Sequence, residues 1–386
     1  TGVTGVFRPS SLTNRLLALD GGYLDFFNSY SSAQVAYMTP YIYGTATIGS
    51  SPQQLLNAKL VVFWGDNSAE TIIGTEKNYY MSQLKSRGIQ VICIDPRMSQ
   101  TAVAYADEWV PIRPASDAAL ADAIAWVLWS ENLQDQAFMD KYCIGFDEDH
   151  MPEGIPAGES YKSYIFGAKD GIEKTPAWAS AICGIPEETI FRLARLMGTV
   201  KPATIVAGYG PQRHRNGEQN AKGVCTLACM TGNVGIPGGN AGSILMTKEH
   251  TAPANRVAPV KNPVTAKIPS FLWTKAIDRP EEIRPREDRL KGAEKLESGI
   301  KMLFNIAGNI LINQHSDIND TMRVLSDESK CEFILCTDVF MTPSARWADV
   351  LLPGDCVFEQ DNSVAHWRGN NFVLRNNKVV EPLFES

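Results

Sequence analysis

The chain has 386 residues, 44% of them hydrophobic and 20% charged. That composition excludes disorder and fibrous repeats, and the length suggests two or three domains. A net charge of −7 argues against nucleic acid or an anionic membrane as the main partner.

No apolar run reaches about 18 residues, so none reads as a membrane span. The longest, Ala118 to Trp129, is broken by Asp122 and has the length of a buried helix. The eight cysteines are Cys93, Cys143, Cys183, Cys225, Cys229, Cys331, Cys336 and Cys356. They are scattered, form no C-x-x-C pair and complete no zinc set, so they are expected to be buried free thiols. The chain begins at Thr1 in Gly-rich text and stops just after a strand-like Lys378-Val379-Val380. It reads as an internal piece of a longer polypeptide.

Thr1 to Gly49 is rich in Gly, Ser, Tyr and Phe and reads as loops and short helices. Leu60 to Trp64 is a continuous apolar run that exits into Gly65-Asp66-Asn67, as a buried parallel strand does. Ala69 to Lys85 is helical, stopped by Gly88. Val91 to Ile94 is the next strand and ends in Asp95-Pro96-Arg97; Trp109 to Ile112 is a short third. Ser116 or Asp117 caps a helix that runs through Trp129. Cys143 to Thr175 reads as an irregular surface excursion, and Trp178 to Met197 as helical with a start at Ile185-Pro186-Glu187-Glu188. Thr204 to Ala207 is a strand running into Gly208-Tyr209-Gly210-Pro211-Gln212-Arg213, and Gly217 to Thr231 a helix. Thr247 to Gly299 is rich in prolines and charges, shows no strand and reads as a connector. The α/β rhythm then returns: strands at Met302 to Ile306, Glu332 to Cys336 and Asp349 to Pro353, with a helix at Ser316 to Ser326.

A strand, Gly/Asn loop, helix and strand ending in Asp thus occur twice, from Leu60 to Asp95 and from Met302 to Asp338. Loops beyond the carboxyl ends of parallel strands bind ligands in such sheets. Small polar residues there let backbone N–H groups approach a phosphate. A carboxylate after the next strand can accept two hydrogen bonds from a ribose diol or a guanine edge. Each Asp alone is also what an ordinary strand-terminal turn would carry; the repetition favours two nucleotides or one shared dinucleotide. Neither loop is G-x-G-x-x-G or the Lys-bearing P-loop. Gln212 to Glu218, and Asn309, Asn313, Gln314 and His315, form two further donor-rich clusters. For His214 and His315 alike a structural role is the commoner reading for a lone histidine, and a ligand contact is the alternative.

Several stretches together resemble the molybdopterin oxidoreductases of the dimethyl sulfoxide reductase family. They are Tyr30-Ser31-Ser32-Ala33-Gln34, Gly65-Asp66-Asn67-Ser68-Ala69-Glu70-Thr71, Ile94-Asp95-Pro96-Arg97, Ile112 to Leu120, Gly210 to His214, Thr231 to Gly235, Ala307-Gly308-Asn309 with Asn313-Gln314-His315, and Ala348 to Pro353. They run in the family's order over nearly the whole chain, most closely as in catalytic A subunits. The resemblance implies an α/β fold with two Rossmann-like doubly wound nucleotide-binding units, domains II and III of that family, in a discontinuous arrangement. Residues 1–58 with 300–386 would form one, 59–246 an inserted second, and 247–299 the connector.

It further implies molybdenum held by two molybdopterin guanine dinucleotides, with Ser31 as protein ligand to the metal and catalytic residue. Asp95 and Asp338 would face the guanosine parts. Asn67, Glu70 and Thr71 would lie near one pyrophosphate, and Gly308 and Asn309 near the other. Asp117, Gln212, Arg213 and Asn216 would serve guanosine and pterin groups. Tyr30, Gly65, Arg97, Gly210, Gln314 and His315 complete the implied cofactor-binding set. The activity implied is reduction of S-oxides or N-oxides in anaerobic respiration. A paralogue reducing selenate or another oxyanion, or a non-catalytic nucleotide-binding module, are the alternatives. A 4Fe–4S cluster upstream, an iron–sulfur electron-transfer subunit, a membrane anchor subunit, and a periplasmic location reached by twin-arginine export are also implied. Here the family's usual Asn-Pro loop reads Asn67-Ser68.

Overall fold

Leu60–Trp64, Gln90–Ile94, Glu108–Val110 and Ala203–Ala207 form a four-stranded parallel sheet in the computed structural model. The described residues are 9–45, 48–72, 75–245, 257–365 and 373–385. The first residues of both the opening stretch and the 247–299 segment lie outside them. The spatial order is 108–110, 90–94, 60–64, 203–207, with Leu60 opposite both Gln90 and Ala203.

Every side chain of Leu60–Trp64 is buried, as a central strand covered on both faces requires. Alternation divides them. Leu60, Val62 and Trp64 join the larger core with Ile92, Ile94 and the helix Asp117–Ser130; Val61 and Phe63 pack with Leu84, Val91 and Cys93 on the other face.

The Asp117–Ser130 helix is apolar nearly all round because helices Pro176–Cys183, Glu187–Thr199 and Gly217–Met230 pack against it. Asp122 is tolerated within it because the Tyr161 and Tyr164 hydroxyls donate to its carboxylate at 2.8 and 3.2 Å. Those tyrosines anchor the excursion after Cys143, which contains the short helix Tyr161–Ile165. The helix expected from Trp178 to Met197 is two helices, because Gly184 (φ 76°) ends the first and Pro186 precedes the second. The one expected from Ala69 to Lys85 is regular only over Thr75–Met81; residues 67–71 form a turn instead.

The second sheet has strands Met302–Ile306, Phe333–Asp338 and Val350–Pro353, all parallel and in that order. The 257–299 region is not a bare connector. Lys267–Pro269 pairs in parallel with Asp25–Phe27, and Ile268, Ala276, Ile283, Leu290 and Leu296 form a small core. Strands Asn362–Ala365 and Val373–Asn376 make an antiparallel pair, while Lys378 to Val380 is not a strand. All eight cysteines are free thiols, five of them buried.

Two compact units result: Ser31–Glu249, and Thr1–Tyr30 together with His250–Ser386. The chain passes between them at Tyr30–Ser31, upstream of the boundary near residue 58 that the sequence suggested.

Candidate functional site

In the Ser31–Glu249 unit, strand order reverses between Leu60–Trp64 and Ala203–Ala207, the place where open α/β sheets leave a crevice. Gly65 turns the chain there with φ 57° and donates its N–H to Ile94 O at 2.8 Å. Gly208 passes so close that a Cβ on it would lie 2.0 Å from Gly65 O. Beyond these crossing loops is a cavity of about 380 Å³, within the size range of small-ligand sites. Gly65, Asn67, Glu70, Thr71, Asp95, Arg97, Gly210 and Arg213 all line it. The structure adds Asp66, Ser68, Lys77 and Tyr209 to the wall. Asp66 and Ser68 were visible beside Asn67 in the strand-exit loop. Lys77 carries no local signal in the sequence.

The wall is pre-ordered by its own hydrogen bonds. Asn67 Oδ1 accepts from both N–H and Oγ1–H of Thr101 at 3.1 Å. Its amide donates to Glu70 Oε2 at 2.6 Å, and that same oxygen accepts from Arg97 at 2.7 Å. Arg97 and then Asn67 hold the Glu70 carboxyl below its ordinary pKa. Asp95 Oδ1 accepts the Arg97 N–H at 3.2 Å, and burial raises the Asp95 pKa. Asp95 retains acceptor capacity toward the cavity, and Arg213 has no ion-pair partner among the described residues.

The other unit repeats the hydrogen bonds of this loop's asparagine and aspartate. Ala307 occupies the Gly65 position, with φ 49° and its N–H on Thr337 O at 2.8 Å. Asn309 Oδ1 accepts from N–H and Oγ–H of Ser344 at 3.0 and 2.7 Å, and Ser344 lies as far past Asp338 as Thr101 lies past Asp95. Asp338 Oδ1 accepts the Phe340 N–H at 3.1 Å. Asp107 and Asp349 correspond too, accepting Val91 N–H at 2.8 Å and Ile334 N–H at 2.7 Å. The charged positions of the first loop are not repeated, and Ile312 packs against the core of its unit. Where the first loop has Asp66, Glu70 and Arg97, the second has Gly308, Ile312 and Phe340. Gln314 is exposed at the end of the turn Ile310–Gln314.

Tyr30 and His315 meet within this second unit. Tyr30 Oη lies 2.7 Å from His315 Nδ1 and 3.3 Å from Ser270 O, and His315 Nε2 lies 3.2 Å from Thr274 Oγ1. Burial lowers the His315 pKa, favouring a neutral ring that accepts from the tyrosine at Nδ1 and donates at Nε2. Burial raises the Tyr30 pKa.

Ser31 opens the Ser31–Glu249 unit. Its side chain is exposed, and its hydroxyl has no hydrogen-bond partner among the described residues. Gln212 is buried and holds the backbone beside it, donating to Ser31 O at 2.8 Å and Tyr209 O at 3.3 Å. Gln34 donates to His214 O at 2.9 Å, and its buried Oε1 has no partner among the described residues. Asn216, at φ 58°, is the left-handed residue that starts the Gly217–Met230 helix. So Gln212 acts as a strap for the Ser31 turn, and Asn216 as a helix start; neither lines the cavity.

Asp117 is also off the wall. It is 5% exposed and accepts from Trp64 Nε1 at 2.7 Å. Burial is the larger influence and raises its pKa above 3.8. A raised carboxyl contributes stability below its unfolded pKa and loses it as pH climbs through the folded one. Asp117→Asn keeps an acceptor for Trp64 without the charge. It is expected to raise stability at pH 7 by about 1 kcal/mol, the scale of one desolvated polar group, and to flatten that part of the pH profile. Urea unfolding at pH 4 and pH 7 tests this; a loss of stability at pH 7 contradicts it.

Among the described residues no group of three or more His, Cys, Asp or Glu could hold a metal ion.

Comparison with known proteins bears on what the cavity's ligand is. The molybdopterin oxidoreductase family profile matches residues 3–386. Dimethyl sulfoxide reductase DmsA of Escherichia coli (strain K12) is 45% identical over 381 residues, 97% of this chain and 47% of that protein. The dimethyl sulfoxide/trimethylamine N-oxide reductase of Rhodobacter capsulatus is 30% identical over 403 residues, 98% of this chain and 46% of that protein. Acetylene hydratase from Pelobacter acetylenicus has a similar fold, with a TM-score of 0.63 at 20% identity over 97% of this chain and 51% of that one. The chain spans about half the length of the relatives it matches.

Proposed function

The chain belongs to the molybdopterin oxidoreductase family, and from that premise we propose that it is the core of a molybdenum-dependent reductase of S-oxides or N-oxides. The family implies a molybdenum–pterin cofactor; we infer its bis(guanine dinucleotide) form. The observation that carries this is the repeat of hydrogen bonds in two strand-end loops, each with an Asp set to accept hydrogen bonds. A ligand with two nucleotide ends suits two such loops. The residues fit the group: a cavity of about 380 Å³ lined by the Asn67, Asp95 and Arg213 side chains, and an exposed Ser31 hydroxyl.

When bound, the cofactor supplies two-electron redox chemistry and oxygen-atom transfer. This chain's residues bind and orient it. Ser31 Oγ is a hard oxygen donor suited to the metal end, and Gln212 holds its backbone. Asp95 and Asp338 accept from the guanine edges, while Asn67 and Asn309 keep their loops open to phosphate. His315 holds the Tyr30 hydroxyl. Electrons would come from an iron–sulfur subunit and a 4Fe–4S cluster outside these residues. A membrane anchor subunit and twin-arginine export to the periplasm complete the reading. No described helix is long and apolar enough to cross a membrane.

The full-length protein tests this by metal analysis and a substrate panel. Molybdenum, GMP released on acid hydrolysis, and turnover of dimethyl sulfoxide or trimethylamine N-oxide are expected. Molybdenum-loaded protein that turns over selenate but neither oxide would overturn the substrate assignment. Asp95→Ala removes an acceptor of charge-assisted hydrogen bonds worth about 1.5–3 kcal/mol each. It is expected to lower molybdenum retained per subunit after dialysis; unchanged content counts against the guanine contact.

A further inference from the structure

Asp66 and Lys77 form an ion pair that the repeat does not share. Lys77 Nζ lies 2.7 Å from Asp66 Oδ2 and 5.9 Å from the centre of the Phe63 ring. The two side chains are 13% and 6% exposed, yet both line the cavity beyond Leu60–Trp64. The Ser68 hydroxyl donates to the other Asp66 oxygen. The position equivalent to Asp66 in the second unit is Gly308, which offers no carboxylate.

A lysine ammonium has three N–H donors. Among the described residues Lys77 Nζ has one acceptor, Asp66 Oδ2. Two donors on a nearly buried cation therefore remain for whatever enters the cavity. A phosphate oxygen satisfies them well, since ammonium–phosphate hydrogen bonds are charge-assisted. Asp66 fixes the position of the ammonium; its own two oxygens are engaged by Lys77 and Ser68, so it presents little negative charge to an incoming anion. Glu70 is likewise masked by Arg97 and Asn67.

We propose that Lys77, positioned by Asp66, is the phosphate-docking cation of the first loop and binds the diphosphate of a guanine nucleotide end. This rests on the nucleotide reading above and extends it. It also makes the two loops unequal: the first is electrostatic and salt-sensitive, the second, with Gly308 and Asn319 at the positions of Asp66 and Lys77, much less so.

Isothermal titration of the purified 386-residue chain with GDP, guanosine and inorganic pyrophosphate tests this at low and high salt. GDP is expected to bind more tightly than either guanosine or pyrophosphate, and more weakly as salt rises. Lys77→Met is expected to weaken GDP about tenfold, the scale of one charge-assisted bond, to flatten the salt dependence, and to leave guanosine unchanged. Lys77→Arg is expected to retain most of the affinity. The double variant Asp66→Asn with Lys77→Met leaves no unpaired buried carboxylate, so it controls for unfolding of the single variant, and is expected to show the same GDP loss. Wild-type affinity for GDP in a folded Lys77→Met or double variant overturns the assignment alone. Pyrophosphate binding as tightly as GDP overturns the nucleotide part. A wild-type chain that binds neither GDP nor guanosine overturns both this assignment and the nucleotide reading it rests on.

Discussion

Replacing Ser31 by Ala in the full-length protein is expected to leave folding intact and to reduce oxide reduction to background. The fold is insensitive because Ser31 is exposed and its hydroxyl bonds to nothing among the described residues; surface changes of that kind stay within about 0.5 kcal/mol. The activity is sensitive because the hydroxyl is the proposed protein contact to the metal. Outer partners of a metal already matter 10–100-fold by general experience, so loss of a direct ligand should exceed about a hundredfold. Ser32→Ala, one residue on, is the comparison that fixes which oxygen is used. Ser32 is half-buried, makes an interaction of its own and precedes the helix Ala33–Tyr43. It is expected to retain activity within a few-fold. Substantial turnover in Ser31→Ala with metal still bound, or a larger loss in Ser32→Ala, would remove Ser31 from the metal.

Asn67→Ala and Asn309→Ala are expected to cost about the same stability, on the order of 2–6 kcal/mol each, by stranding two buried donors at about 1–3 kcal/mol apiece. In both loops the lost oxygen leaves an N–H and a hydroxyl without their acceptor, on Thr101 in one and Ser344 in the other, and both of those residues are fully buried. Native-state hydrogen exchange can assign each loss to its own unit, which a single unfolding curve of a two-unit chain cannot. Asn67→Ala should open amides around Val91–Ile94, and Asn309→Ala those around Ile334–Thr337. If one variant costs less than about 0.5 kcal/mol while the other is severe, the two loops are not working equivalents.

That equivalence was readable in advance because it is local. A run such as Leu60–Trp64 or Met302–Ile306 must be a buried strand, Gly65-Asp66-Asn67 or Ala307-Gly308-Asn309 must leave it, and a carboxylate follows the next strand in each copy. The Thr101 and Ser344 contacts could not be read, because neither residue type nor spacing distinguishes a hydroxyl that closes onto an asparagine from one facing solvent. The Lys267–Pro269 strand was missed for a related reason. It is three residues long, ends in proline, and pairs with Asp25–Phe27, far away in the sequence. Asp122 looked like a defect in an apolar helix until the excursion after Cys143 brought two tyrosine hydroxyls to it.

The sequence by itself determined the parallel sheets, the duplication and the family, since strand burial, loop composition and motif order are properties of neighbouring residues. Only the tertiary structure decided which polar groups are available to a ligand. Asp117 and Gln212 turned out to be engaged, by Trp64 and by the Ser31 turn. Lys77 and Asp66 turned out to face the cavity, and the Ser31 hydroxyl to be uncommitted. The reason is physical: a donor or acceptor is available only if nothing else in the fold satisfies it, and its competitors come from strands and helices distant along the chain.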